Sequence, residues 1–411
     1  MKISTTVTAG PSSRSTFLKS ATLLAPMAML GMGPSAFGPI LAEIHKEFAT
    51  NPGANWLVPM VLTLPAVCIA LFSGAAGMIA DRFGRKRLLM GSLLLFGLAG
   101  AAPFFLKSLG AILASRFLVG VAEAGLAISS TTLIGDEFEG AAREKMLASQ
   151  VVVAASAAVV VAVAAGGLGA LGWRHAVLVY LLALPLLALV VFVVREPRAS
   201  ERYVRKDKPA SLQVFPWKPT FAACGLMLVT SMFFCVLPVE MAFVMSAIGV
   251  SDPKIIGLSM AAMAVGIGVG AGLFKTLSRL GIPLVLTLGY AVMAAGFLSI
   301  AFASNLPWTI AACFVTQIGA GLALPAVLAA ALKLFSFEFR GFGTGLVQCA
   351  NSLGQFVCAL VVTGLAMMLS GLSGAMTVLA LLAATAAACA GVFYLRGRRP
   401  ALGAQVADPA E

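Results

Sequence analysis

Apolar residues run along this chain in long blocks bounded by charge, proline or glycine clusters. Twelve such blocks stand out. The first six lie at 20–42, 56–79, 88–106, 110–134, 146–168 and 175–194. The second six lie at 219–246, 255–274, 283–303, 308–331, 342–368 and 374–395. A hydrocarbon core about 30 Å thick is crossed by about 20 helical residues, so each block is long enough to span. The pattern predicts an all-α polytopic membrane protein with twelve transmembrane helices.

Composition agrees. Of 411 residues, 60% are hydrophobic and only 11% charged, against about 25% charged in soluble proteins. A soluble enzyme, a disordered chain and a disulfide-stapled secreted domain are excluded. The net charge of +12 would suit nucleic acid, but its distribution gives another meaning. With the N-terminus inside, 23 of the 28 lysines and arginines fall in segments on the cytoplasmic side. Only Lys46, Lys107, Arg174 and Lys254 fall outside, and Arg116 lies within a span. Such a bias places both termini in the cytoplasm and requires an even number of spans. Arg14 and Lys19 precede an apolar run too long for a cleaved signal peptide, so it reads as an uncleaved first helix.

One long hydrophilic stretch, 195–218, carries Pro197, Pro209 and Pro216, with Pro219 just beyond it, and divides the chain into bundles at 1–194 and 219–411. The halves look alike at an offset of about 200 residues. Arg82-Phe83-Gly84 is answered by Arg279-Leu280-Gly281, Gly120 by Gly319, and Glu137-Phe138 by Glu338-Phe339. Parallel six-helix repeats of this kind place a substrate site between the halves.

The loop after span two reads Gly77-Met-Ile-Ala-Asp81-Arg82-Phe83-Gly84-Arg85-Lys86-Arg87. Gly84 permits a tight turn, Gly77 a close helix approach, and the cations suit an anionic inner leaflet. This loop strongly resembles the signature G-x-x-x-D-R-x-G-R-[KR]-x of the major facilitator superfamily. The resemblance in span number and repeat covers the whole chain. It implies a gating cluster of Asp81, Arg85 and Asp136, with Glu137 as the alternative to Asp136, facing Arg340 at the start of span eleven. Ser278 stands where the second-half copy would have its Asp, which implies a weaker latch there.

Few ionisable groups fall within spans: Arg116 and Glu123 in span four, and Glu240 in span seven. A charge at mid-membrane costs on the order of 3 kcal/mol, so these are the candidates for function. Arg116 and Glu123 are two turns apart and share a helix face with Gly120. The segment from Arg116 to Gly125 resembles the R-x-x-x-G motif of proton-coupled members, in which the Arg is implicated in coupling. On this reading Glu123 binds and releases a proton, while Arg116 tunes it, anchors an anionic substrate group, or snorkels to water. Glu240, just after Pro238, is either a second proton site or an interfacial residue.

Gln150 in span five, Gln317 in span ten, and Gln348, Asn351 and Gln355 in span eleven either line the pathway or bond neighbouring helices. Gly266, Gly268, Gly270 and Gly272 in span eight suggest a sliding contact with span five. His45 and His175, the only histidines, suggest no metal site. All 7 cysteines lie in apolar stretches and read as buried hydrophobes.

No cofactor is implied beyond a proton gradient. The expected partners are a small-molecule substrate and the bilayer, with no nucleic acid, for a monomer in a bacterial cytoplasmic membrane. Within the superfamily the chain looks most like the bacterial drug and sugar-efflux proton antiporters. It nevertheless lacks their G-x-x-x-G-P-x-x-G-G motif in span five. The alternatives are a proton-coupled importer of small organic anions and a transport-dead sensor. No nucleophile–base constellation supports an enzyme.

Overall fold

The structure, a computed structural model, describes residues 13–138, 140–194, 215–334, 340–369 and 371–404. Eleven of its helices are long and apolar enough to cross a membrane. A twelfth crossing comes from a bent pair, Leu18–Leu30 with Met32–Glu47, whose parts meet at 52°. We call the face where span one starts and span twelve ends the terminal face, and the opposite one the far face.

Span one is where the uniform apolar pattern conceals a break. Pro34 offers no N–H to the Leu30 carbonyl, and Gly31 and Gly33 flank the gap, so the helix ends at Leu30 and restarts at Met32. A second interruption at Gly38–Ile40 is a short 3₁₀ turn with Pro39 inside it. The other spans of the first half are Ala54–Phe83, Arg85–Ala101, Leu109–Glu137, Gly140–Gly169 and the Trp173–Val193 segment. The second half follows with Trp217–Ala247, Pro253–Leu277, Ile282–Ala301, Leu306–Leu332, Arg340–Met368 and Leu372–Ala404. Lys218, taken from sequence as linker, belongs to the helix of span seven. The rest of that linker up to 214 and the Glu338-Phe339 pair lie outside the described residues.

The repeat is visible in backbone geometry. Gly84 sits at φ 107° and Gly281 at φ 108°, and each caps the helix that follows it. Only glycine adopts this conformation without strain, so both tight turns need it. The Gly120–Gly319 match holds less well. Gly120 packs span four against Pro65 of span two, whereas Gly319 packs span ten against Gly289 and Met293 of span nine. The packing counterpart of Gly120 is Gly321, which meets span eight at Ile267 and Gly270.

Close contacts between the halves gather toward the far face. Gly166 of span five and Gly257 of span eight face each other, and a Cβ built on either would stand 3.0–3.1 Å from the other's Cα. Gly38 of span one seats against Met260 and the Pro238 carbonyl. Trp56 of span two lies over Gly364 of span eleven, and Lys46 donates to Ser251 Oγ at 3.3 Å. Deeper in, Cys349 Sγ reaches the Ala70 carbonyl at 3.6 Å. Toward the terminal face Gly74, Gly77 and Gly345 have no neighbouring atom within 4 Å of a built Cβ. The close approach expected at Gly77 is therefore not made in this arrangement. The glycine-rich face of span eight also differs from expectation. Gly266 and Gly270 pack on span ten, Gly268 and Gly272 face open space, and only Gly257 serves span five.

The far-face contact depends on the missing side chains, so a valine at position 257 should hold the halves apart. Overpacking of this kind costs about 2 kcal/mol, which lowers the closed population roughly thirtyfold. Cross-linking between cysteines placed at Lys46 and Ser251 measures it. We expect rapid linking in the parent protein and much slower linking with Gly257→Val.

Candidate functional site

Arg116, Glu123 and Glu240 are all buried, at 1%, 4% and 5% exposure. Arg116 is the one buried cation among the described residues. Its Nη2 donates to the carbonyls of Ala99 and Gly100, both at 3.0 Å. These are last-turn carbonyls of span three, which have no partner within their own helix. Nε reaches Ser115 Oγ at 3.4 Å, and the guanidinium lies 4.5 Å from the Phe37 ring centre and 5.0 Å from that of Tyr180. Arg116 thus ties spans one, three, four and six together near the far face. It does not snorkel to water. Two of its three nitrogens thus have acceptors, and the guanidinium packs beside both rings.

Glu123 lies two turns deeper on the same helix. Among the described residues no ion pair joins it to Arg116. Its carboxylate faces the break in span one, where a Cβ built on Gly33 would stand 3.5 Å from Oε1.

Glu240 projects from span seven into a cavity of about 270 Å³ toward the far face. His45, Asn55 and Pro59 of the first half and Phe243, Thr363 and Met367 of the second also line it. Glu240 Oε1 is buried without a hydrogen-bond partner. Across the cavity His45 Nε2 and Asn55 Oδ1 lie 2.8 Å apart, and His45 meets the Phe243 ring edge-on at 5.6 Å. Glu240 is therefore not at a lipid–water interface. Its neighbours His45 and Asn55 carry no sequence signature, since they belong to the ends of other spans.

The polar residues divide. Gln150 Nε2 donates to Ser130 Oγ at 3.1 Å, and Ser130 to the Leu23 carbonyl at 2.8 Å, so this group bonds spans five, four and one. Gln317 is buried with its Nε2 unpartnered, and Asn351 has an unpartnered Oδ1. Gln348 is exposed and Gln355 half-buried on the same helix. At the terminal face Arg85 pairs with Asp136. Glu137 pairs instead with Lys19 at 2.5 Å, joining span four to span one. The side chains of Asp81 and Arg340 lie outside the described residues, while Arg82 is exposed. Among the described residues no group of His, Cys, Asp or Glu could hold a metal. All seven cysteines are free; Cys68, Cys235, Cys313 and Cys358 are buried, whereas Cys389 is exposed.

Two like sets of spans, with ionisable groups buried at depth and contacts between the halves on one face, define a membrane transporter of the two-bundle kind. The family model of the Major Facilitator Superfamily matches residues 24–278 and 221–410, and the chain belongs to that family. Its long apolar helices fit a multi-pass membrane protein of that family. The chain is 33% identical over 120 residues to the bacillibactin exporter of Bacillus subtilis, a match covering 28% of this chain and 29% of that protein. It is 28% identical to the 4-hydroxybenzoate transporter PcaK of Pseudomonas putida over 43% of this chain and 39% of that one. These matches span well under half the length of either relative. A longer one, 25% identical, covers 79% of the chain and 81% of the 3-(3-hydroxy-phenyl)propionate transporter of Escherichia coli. The fold is also that of a bacterial homologue of the human lysosomal transporter Spinster, in an inward-facing and occupied conformation. That match has a TM-score of 0.75 at 15% identity, over 95% of this chain and 98% of that one. The likeness to drug and sugar exporters finds only loose support among these proteins.

Replacing Arg116 by Met keeps much of its bulk and removes both donors to span three. Bonds to a charged donor are worth about 1.5–3 kcal/mol, so the loss should be roughly 3 kcal/mol of stability. Thermal unfolding of the purified protein measures this. An unchanged midpoint with altered proton dependence of transport would instead make Arg116 a coupling residue.

Proposed function

We propose that this protein couples protons to the uptake of a small organic acid by alternating access. On this reading it works as a monomer in a bacterial cytoplasmic membrane, with the terminal face in the cytoplasm. The observation that carries the reading is the pairing state of the buried charges. Arg116 donates to backbone carbonyls, while Glu123 makes no ion pair among the described residues.

An anion cannot settle beside a second negative charge in a low-dielectric site without a large repulsion. A proton on Glu123 removes that repulsion and turns the carboxyl into a donor. Proton and anion then enter together because neither arrangement with one alone is favourable. The free amide donor of Gln317 supplies a further contact of the right polarity for a carboxylate. The relatives named for 4-hydroxybenzoate and 3-(3-hydroxy-phenyl)propionate support an aromatic monocarboxylate as the cargo class. Closure at the far face, with Gly77 and Gly345 uncrowded, suits a state open toward the cytoplasm. In this scheme Arg85 and Asp136, with Asp81 and Arg340, form the gate that engages when the transporter faces outward. Glu240 is the second carboxylate available for a proton.

Export is the second reading, favoured by the match to the bacillibactin exporter. One assay separates the two. Accumulation of labelled aromatic acids, neutral sugars and amphiphilic cations is followed in cells lacking other efflux pumps, with the parent protein and Glu123→Gln. One proton per substrate sustains about tenfold accumulation per unit of pH gradient, since each unit is worth about 1.4 kcal/mol. We expect accumulation of an aromatic acid that rises as external pH falls and is lost in the variant. Reduced accumulation of any compound would favour export, and a variant that accumulates normally would remove Glu123 from the coupling.

A further inference from the structure

Spans seven, nine, ten and twelve part at their terminal ends around a crevice of about 680 Å³, remote from Glu123 and Glu240. Span seven gives it one helical face, Ala222, Leu226 and Val229, and span twelve another, Ala386, Ala390 and Phe393. Leu286 and Tyr290 of span nine close the third side. The Tyr290 hydroxyl is already bonded to Thr230 Oγ1 at 2.5 Å, so the depth of the crevice is apolar in effect.

The mouth is different. Lys333, at the end of span ten, is the only charged residue on the lining. Lys218 sits one helical turn beyond Ala222 on the same face of span seven, nearer the terminal face. Arg279 precedes span nine by three residues. Among the described residues of the second half the only acids are Glu240 and Asp252, both toward the far face. Among the described residues, Lys333 makes no ion pair. A single-sign cluster over an apolar slot in the plane of one leaflet calls for an amphiphile with an anionic head.

We propose that this crevice is a binding site for an acidic phospholipid, with its acyl chain between spans seven, nine and twelve and its phosphate held by Lys333 and Lys218. The chemistry fits on both counts. Apolar walls alone would take any lipid tail, and the two ammonium groups select for a negative headgroup. The site stands apart from the transport pathway, so it holds or fails independently of the cargo and coupling ion.

The test uses the full chain, purified in mild detergent and stripped of lipid. Phosphatidylglycerol, phosphatidylcholine and soluble glycerol phosphate are each titrated in turn. Retained lipid is read by native mass spectrometry and stability by the thermal midpoint. We expect phosphatidylglycerol to be retained and to raise the midpoint well above the effect of phosphatidylcholine. Each cation beside an anionic lipid is worth about fivefold in affinity, so Lys218→Gln with Lys333→Gln should cut the preference about twenty-five-fold. The phosphatidylcholine response should stay as in the parent, which also shows that the variant is folded; if it is not, Lys333→Gln alone should cut the preference about fivefold. Equal responses to the two phospholipids, or a preference that survives the substitutions, would overturn the proposal. So would glycerol phosphate alone matching phosphatidylglycerol, which would make the site one for free phosphate.

Discussion

The cost of leaving charge or an unpaired backbone group in hydrocarbon governs this molecule. Every crossing is a helix because only a helix meets its own backbone hydrogen bonds without water. Charge is pushed to the loops and helix ends, where Lys19 pairs with Glu137, Arg174 with Glu47 and Arg85 with Asp136. Among the described residues, one arginine and two glutamates remain inside, and their settings differ. Arg116 repays its burial by satisfying carbonyls that span three leaves open, with two aromatic rings beside it. Glu123 and Glu240 make no ion pair among the described residues, and that contrast underlies the proposed coupling.

A transporter of this kind must also come apart along one surface while staying whole elsewhere. The contacts divide accordingly. Within each half, hydrogen-bonded networks and interlocked side chains join helices, as in the Gln150–Ser130–Leu23 chain and the packing of Arg116 beside Phe37 and Tyr180. Between the halves several contacts set a glycine against backbone, a methionine side chain or a flat ring, as at Gly166–Gly257, Gly38–Met260 and Trp56–Gly364. Such surfaces pack closely, and Met260 at Gly38 is a flexible group to disengage. The break in span one belongs to both systems, since Phe37 stacks on Arg116 while Gly38 touches spans seven and eight. Movement of the halves and the environment of Glu123 are thereby linked through one irregular segment.

Much of this was legible in the sequence. Long apolar blocks gave all twelve spans to within a few residues, because the bilayer fixes helix length so strictly. The turn glycines at 84 and 281 were visible from their matching neighbours, and both adopt the same left-handed backbone. What stayed hidden depends on partners without a side-chain signature. The carbonyls that hold Arg116 look like any backbone, and whether Gly266 faces span five or span ten is set by helix rotation. The 52° bend was signalled by Gly31, Gly33 and Pro34, but hydropathy alone ran straight through it.

In the proposed mechanism substrate anion and proton cross together because the site holds a buried carboxylate that makes no ion pair and must be neutralised. The most direct measurement is accumulation in vesicles containing the purified protein, driven separately by a pH gradient and by a membrane potential. One monoanion with one proton carries no net charge. Accumulation should therefore follow an acid-outside pH gradient and be indifferent to potential. Accumulation driven by potential alone, with no pH gradient, would contradict it.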